Sequence, residues 1–562
     1  MRQRLTRRRM GAAAGATFAM WLGAAAAQVS SPTAVEQTNL ARDAFSTGVL
    51  GAGDGALSSD LWRGADVDTL SFLLAHAPAR PETPSLGEAL RRVLLTPGAG
   101  PDGAPASLGG RKLRALAAAG YVEEARTLAS LSSAPRNDPH VGEALAVADL
   151  LSGDAQAACA RNAALTSGRD AAFWVKLRVY CYAVAGERDA ADLSLGILRE
   201  RGALSETDDA LLTAIVAGVS PKAPPSPENA LHLAAVRRLQ SPLSPSLLAD
   251  ANAGVLTSVA ADAALDGATR ADAAMRAAAM GVMTPQALAS VFNSLDINLD
   301  DLGRAGEAAA ARPHDPLADV LLYRSIGQMS APEFLRDKAA RIAEALSRGK
   351  TFERAYSLSA LYADDIATLE GALLPADEAI AFARARMIVG DGEGASRWLY
   401  AALGEQSIAA LDEPTAMSMI ELTNFLAVLD PPAAAAVGAA ADIAIEPPYR
   451  RDVGGGLATD VDAMARVVDA AFDAASGGVS GQAALAALAA STLAPPEDPL
   501  AQVVISQSLK AAGLDDVRRR RDFEAVLKTR FRSAAPADDP SGLVADSAGD
   551  VFRPSLKPKR DQ

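Results

Sequence analysis

Cysteine and histidine are the side chains most ready to bind metals or move protons, and this chain has two Cys and four His among 562 residues. None of His76, His140, His232 and His314 is followed by a second His at metal-ligand spacing, and no His-Glu-x-x-His motif occurs. A zinc-peptidase helix is therefore not predicted. The four read as scattered surface or capping residues, and His314, within Arg312-Pro313-His314-Asp315-Pro316, reads as part of an inter-helix turn. No Gly-x-Ser-x-Gly elbow is present, which removes the α/β-hydrolase nucleophile. Val453-Gly454-Gly455-Gly456-Leu457 is Gly-rich, but no Lys-Ser/Thr follows it to hold a phosphate. One acidic stretch bears comparison with a calcium loop: counting from Asp296, Asn298 and Asp300 fall at positions three and five and Glu307 at twelve. Position six is Asp301, where the sharp turn needs Gly. The stretch is better read as an acidic turn capping a helix that starts near Asp300. No catalytic, cofactor-binding or metal-ligating set emerges, and the chain reads as non-enzymatic.

The two cysteines, Cys159 and Cys181, both lie in helical patterns, Gly153 to about Leu165 and Asp170 to Ala185, joined by a turn at Thr166-Ser167-Gly168-Arg169. In a straight antiparallel hairpin their heights differ by roughly 10 Å at ~1.5 Å per residue. A disulfide needs Cα atoms within about 7 Å, so bridging requires an offset or a longer turn. An even Cys count in an oxidising compartment favours the disulfide, and two buried free thiols are the alternative.

These residues must be positioned by helices. Ala is abundant, aromatics make up 4% of the chain, and no long β-branched alternating run is present, so an all-α fold is predicted. One phrase recurs: an apolar helix, a Gly, then a small residue five positions later. Gly120 leads to Ala125, Gly153 to Ala158, Gly186 to Ala191 and Gly390 to Ala395, while Gly513 leads to Arg518 instead. Gly in the left-handed conformation ends the first helix, and Ala lets the second approach closely. This step resembles the helix–turn–helix step of tetratricopeptide repeats, without their full signature at a constant period near 34 residues. The resemblance implies an irregular α-solenoid of antiparallel hairpins. With its paired cysteines around Phe173-Trp174-Val175-Lys176 and its Ala-rich hairpins, the chain also resembles a group of uncharacterised, exported alphaproteobacterial proteins, some labelled "antifreeze glycopeptide". True antifreeze glycopeptides are short Ala-Ala-Thr repeats, which this chain lacks, so that activity is not expected. Trp62, Trp174 and Trp398 read as core residues rather than binding anchors.

The address is written at the amino terminus. Arg2, Arg4, Arg7, Arg8 and Arg9 precede an apolar stretch from Met10 to about Leu22 and a small-residue exit at Ala25-Ala26-Ala27. This is the build of a signal peptide over 1–27, and it predicts a periplasmic or secreted protein. The Sec route is the first reading, although Thr6-Arg7-Arg8-Arg9-Met10 loosely resembles a twin-arginine motif. No later segment is apolar enough to span a membrane, and no Cys near the cleavage point offers a lipid anchor. Removal of residues 1–27 takes away five basic and no acidic groups, so 49 basic against 68 acidic side chains leave −19. That charge argues against nucleic acid and anionic lipid as partners.

Pro and Gly clusters suggest a partition: helical repeats over 28–219, a linker at 220–228, a second helical region over 229–430, an irregular loop over 431–456, C-terminal helices over 457–532 and a disordered tail over 533–562. The function implied is a non-catalytic scaffold that binds an envelope protein or peptide, with no cofactor. The alternative is a cell-wall or polysaccharide factor that binds glycan or hydrolyses it weakly. Ala-rich superhelices also precede the catalytic domain of soluble lytic transglycosylases, but the Glu-Ser motif and aromatic platforms of that domain have no counterpart here. Glu497 and Glu524 have only Phe523 nearby.

Overall fold

The computed structural model describes residues 43–101, 103–132, 138–222, 226–404, 406–446, 458 and 460–534. The proposed signal peptide, most of the tail from 533 and the Gly-rich stretch at 453–457 lie outside them. Among the described residues the secondary structure is entirely helical. The first eleven α-helices are α1 (Val67–Ala75), α2 (Pro84–Leu95), α3 (Ala106–Ala118), α4 (Val122–Leu131), α5 (Pro139–Leu151), α6 (Ala155–Ala164), α7 (Ala172–Ala185), α8 (Arg188–Glu200), α9 (Glu206–Ala217), α10 (Ala230–Arg238) and α11 (Ala253–Ala261). There follow α12 (Gly267–Ala279), α13 (Pro285–Ser294), α14 (Leu299–Leu302), α15 (Ala305–Ala310), α16 (Pro316–Gly327), α17 (Leu335–Ser347), α18 (Phe352–Leu361), α19 (Ala363–Thr368), α20 (Ala376–Ile388) and α21 (Gly392–Leu403). The last six are α22 (Glu413–Leu429), α23 (Pro431–Ala441), α24 (Val461–Gly477), α25 (Ser480–Leu493), α26 (Pro499–Ala511) and α27 (Asp515–Ala534).

The helix ends follow local chemistry. Asp, Asn, Ser or Thr caps many amino ends, among them Asp66, Thr83, Ser205, Asn229 and Asp412, each accepting from a backbone N–H of the first turn. Such a cap contributes about 1 kcal/mol. At the carboxyl ends, Gly120, Gly186 and Gly390 take φ of 90°, 83° and 82°. Around Gly186 the Glu187 N–H donates to the Tyr182 carbonyl (2.8 Å) and the Gly186 N–H to that of Ala183 (3.1 Å). This paired closure needs a left-handed residue, and Gly adopts it without a Cβ clash. The small residues five places on, Ala125, Ala191 and Ala395, are all buried, each on the helix that follows its glycine turn.

The packing departs from a simple stack of hairpins. One core joins residues 44–144 to 463–517, the two ends of the described chain, while a second runs from Ala146 to Ala441. Helix α27 bridges them: Val517 belongs to the first core, and Phe523, Leu527 and Phe531 to the second. Its polar side holds α2. Ser85 donates to the Glu524 carboxylate from its N–H (3.2 Å) and its hydroxyl (2.7 Å), Arg520 pairs with Glu88 (2.7 Å), and Lys528 donates to the Glu82 carbonyl (2.8 Å). Close contact between α25 and the N-terminal segment is possible because Gly481 has no side chain. A Cβ there would lie 2.6 Å from the Trp62 ring.

Two expected boundaries are corrected. The linker at 220–228 does not separate two regions, because α9 and α10 pack on each other and Val216 and Ala230 share one core. Residues 431–456 are not loop throughout. Pro431-Pro432 occupies the first turn of α23, where a missing N–H costs nothing, and Asp430 caps it through the Ala433 N–H (3.2 Å). The described residues, all between 43 and 534, fall in one compact unit.

Candidate functional site

Three surface concavities lie along the turns and helix ends between residues 74 and 263. The first to consider holds the densest chemistry. It has a volume of about 330 Å³ and is walled by Leu74 and Ala75 at the end of α1, Arg114 of α3, Phe173 and Lys176 of α7, Asp208 of α9 and Asn229 at the cap of α10. Asp208 is placed by the Ser205-x-x-Asp208 capping box, in which each side chain bonds the other's backbone N–H. Its Oδ2 accepts from Lys176 Nζ (2.7 Å) and from the Ser205 N–H and hydroxyl (both 2.9 Å). Its Oδ1 lies 3.1 Å from His232 Nε2.

The electrostatics follow from this list. Burial pushes the Asp208 carboxyl up, but the donors from His232, Lys176 and Ser205 outweigh it and hold the group well below the usual carboxylate range. An ionised carboxylate only accepts, so His232 Nε2 carries the hydrogen. His232 Nδ1 is then left buried and without a protein partner. A carboxylate that is doubly occupied and holds its proton so weakly makes a poor general base, and Lys176 is engaged as its counter-ion. The cluster's clear effect is to lock α7, α9 and α10 together around the cavity. Arg114 is paired in turn with Glu143 (3.2 Å).

The second concavity, about 620 Å³, opens where the turns at Gly120 and Gly153 meet α11. Arg237 braces it, donating to Asp262 Oδ2 (3.0 Å), Ser258 Oγ (3.0 Å) and the Leu150 and Leu151 carbonyls (both 3.4 Å). A Cβ on Gly254 would lie 2.8 Å from the Ala117 carbonyl, so the approach of α11 to α3 requires Gly at this position. The third, about 470 Å³, lies at the carboxyl ends of α7, α9 and α10. Gly120 and Gly186, singled out in the sequence as helix ends, thus line two of these grooves.

Cys159 and Cys181 form a disulfide with Cα atoms 5.6 Å apart. The height offset is absorbed by the connection between the helices: Leu165 and Ala171, flanking it, are both extended (ψ 126° and 141°). The acidic stretch near Asp296 holds a helix cap. Asn298 accepts from the Asp300 N–H (2.9 Å), Asp301 is bound by Arg312 (2.7 Å), and Glu307 sits on the next helix. No group of three or more His, Cys, Asp or Glu converges as for a metal ion among the described residues.

Sequence reasoning missed the role of His232 and did not single out Asp208 or Lys176. The Ser-x-x-acid cap was a visible signal for Asp208, and Lys176 falls within the Phe173–Lys176 phrase. Nothing local announces that His232, 24 residues on, meets Asp208. A scan of protein-family models, a search of curated proteins and a search of solved structures each return no match.

Proposed function

We propose that this chain is an exported, non-catalytic helical interaction protein of the bacterial envelope, holding a protein or peptide segment in grooves between its helix ends. The observation that carries the reading is the character of those grooves. They are open concavities of about 330 to 620 Å³, and the charged groups bracing two of them, Asp208 and Arg237, are committed to partners within the protein. Groups arranged in this way fix a shape and do not pass protons. The export assignment rests on the basic, apolar and small-residue order of residues 1–27. A disulfide is in keeping with an oxidising compartment. No described helix is long and apolar enough to cross a membrane.

The glycan reading has less support. Sugar platforms need exposed aromatic faces beside a groove; Trp62, Trp174 and Trp398 are at most 2% exposed, and the exposed Phe334, Tyr400 and Phe472 line none of the three grooves. In-cell cross-linking of a tagged copy, followed by recovery from the envelope fraction, tests the proposal. One dominant protein partner is the expected result. Retention by isolated peptidoglycan with no protein partner would replace it with the glycan reading.

A further inference from the structure

The third groove differs from the other two in its charged groups. Arg188 and Arg238 both line it, together with Gly186, Val216, Gly218 and Gln240. Neither arginine has an ion pair or side-chain hydrogen bond among the described residues. The contrast with the adjacent Arg237, which has four partners, is direct. The carboxyl ends of α7, α9 and α10 meet here and carry partial negative charge, which accounts for cations gathering in the groove. It does not account for guanidinium forks left open. Arg188 moreover stands at the first position of α8, where its own helix dipole repels it. Glu187 and Asp189 flank Arg188 in sequence but do not line the groove.

The backbone is shaped around the same place. Gln240 has φ of 51°, a left-handed conformation uncommon for a residue with a side chain, and strained positions of this kind gather at functional sites. The turn is held by the Ser241 N–H on the Val236 carbonyl (3.1 Å) and by the Ser220 hydroxyl on the Leu239 carbonyl (2.6 Å). Gly218 leaves room for Arg188: a Cβ there would sit 3.6 Å from Nη2. Two large apolar side chains stay exposed at this end of the helices, Val184 (40%) and Val219 (64%).

We propose that this groove receives the free C-terminus of a peptide that ends in an apolar residue. The terminal carboxylate takes the two guanidinium forks, which suit planar, two-pronged recognition of a carboxylate. The last side chain rests on Val184 and Val219, and the peptide N–H groups meet the carbonyl-rich helix ends. A free inorganic anion would use the arginines but not the apolar rim. The volume of about 470 Å³ is that of a small-ligand site, so it takes the end of a chain and not a folded domain. This inference rests on the interaction reading above and names the chemistry of one partner.

The test is affinity selection on the purified, immobilised full chain. It uses one pool of short peptides with randomised last residues and free carboxylates, and a second pool with the same sequences amidated. Peptides ending in apolar residues should be enriched from the free-acid pool alone. An enriched peptide should bind at least about tenfold more weakly when amidated, or when presented to the Arg188→Ala/Arg238→Ala protein. Both arginines are exposed, so the variant should melt as the parent does. No enrichment, equal enrichment from both pools, or unchanged binding by the double variant overturns the proposal. So does arginine-dependent binding of a uronic-acid oligosaccharide in place of any peptide. If the cross-linked envelope partner is found but the double variant retains it and selects no peptide, this inference fails and the interaction reading stands. If the parent chain has no envelope partner, the interaction reading fails, and the peptide selection still judges the groove.

Discussion

Opening the Cys159–Cys181 bond should destabilise one region of the protein and leave the rest untouched. The bond closes a loop of 22 residues. In the chain-entropy account, a crosslink of that span removes about 3 kcal/mol of freedom from the opened state, or roughly a hundredfold in the local opening equilibrium. The half-buried position of both cysteines keeps the packing loss on substitution smaller than for a core residue. Cys159→Ala/Cys181→Ala and the reduced parent should therefore behave alike. Hydrogen exchange read by mass spectrometry is the suitable assay, because it reports opening segment by segment. Peptides from α6 and α7 should exchange up to a hundredfold faster in both samples. Peptides from α25, whose residues are nearly all buried, should not change. Alkylation of the unfolded, unreduced protein should label neither cysteine. Equal exchange of α6 and α7 with and without the bond would refute the reasoning, as would a free thiol in the parent protein.

Three further outcomes follow from the packing. Ala191→Trp should cost about 1–3 kcal/mol by overpacking a fully buried contact, and an unchanged melting temperature would show that the glycine-turn register is mistaken. Gly481→Ala places a Cβ 2.7 Å from the Leu61 carbonyl and 2.6 Å from Trp62. It should cost a similar ~1–3 kcal/mol and speed exchange in both α25 and the 43–65 segment, whereas a change confined to α25 would contradict the shared core. Glu524 supplies a pH signature. Burial pushes its carboxyl up to about 6, against the pull of Ser85 and Thr83. The folded state then holds this proton more tightly than the unfolded state does. This contribution is greatest below pH 4.5 and declines as pH rises to about 6, by about 2 kcal/mol. Urea unfolding of Glu524→Gln should lack that decline, and a parallel slope in parent and variant would count against it.

The parts of this protein that were legible in its sequence are those decided within one or two helical turns. Gly186 and Gly390 mark helix ends because a residue without Cβ relieves the left-handed cap. The acidic stretch at Asp296 marks a helix start because the Asn298 oxygen reaches the free Asp300 N–H. Trp62, Trp174 and Trp398, all read as core, are buried, and for Trp174 the signal was the apolar stripe of its own helix. Likewise, two cysteines in one helical hairpin identify each other, but the extended connection that brings them within 5.6 Å left no local mark.

What only the tertiary structure decided is how distant segments meet. Glu524 reaches Ser85 across 439 residues, and Lys112, fully buried, donates to the Phe45 and Thr47 carbonyls (2.7 and 2.6 Å) that begin the described chain. Each of these polar residues would be read as exposed on its own helix, because the group that satisfies it belongs to another element. The irregular region expected at 431–456 gives way to helix at 431–441 for a related reason. A Pro pair breaks a helix only when it falls inside one, and here Asp430 sets it at the start. The open forks of Arg188 and Arg238 belong to the same class. A sequence shows that an arginine is present, and only the fold shows that among the described residues no carboxylate comes to meet it.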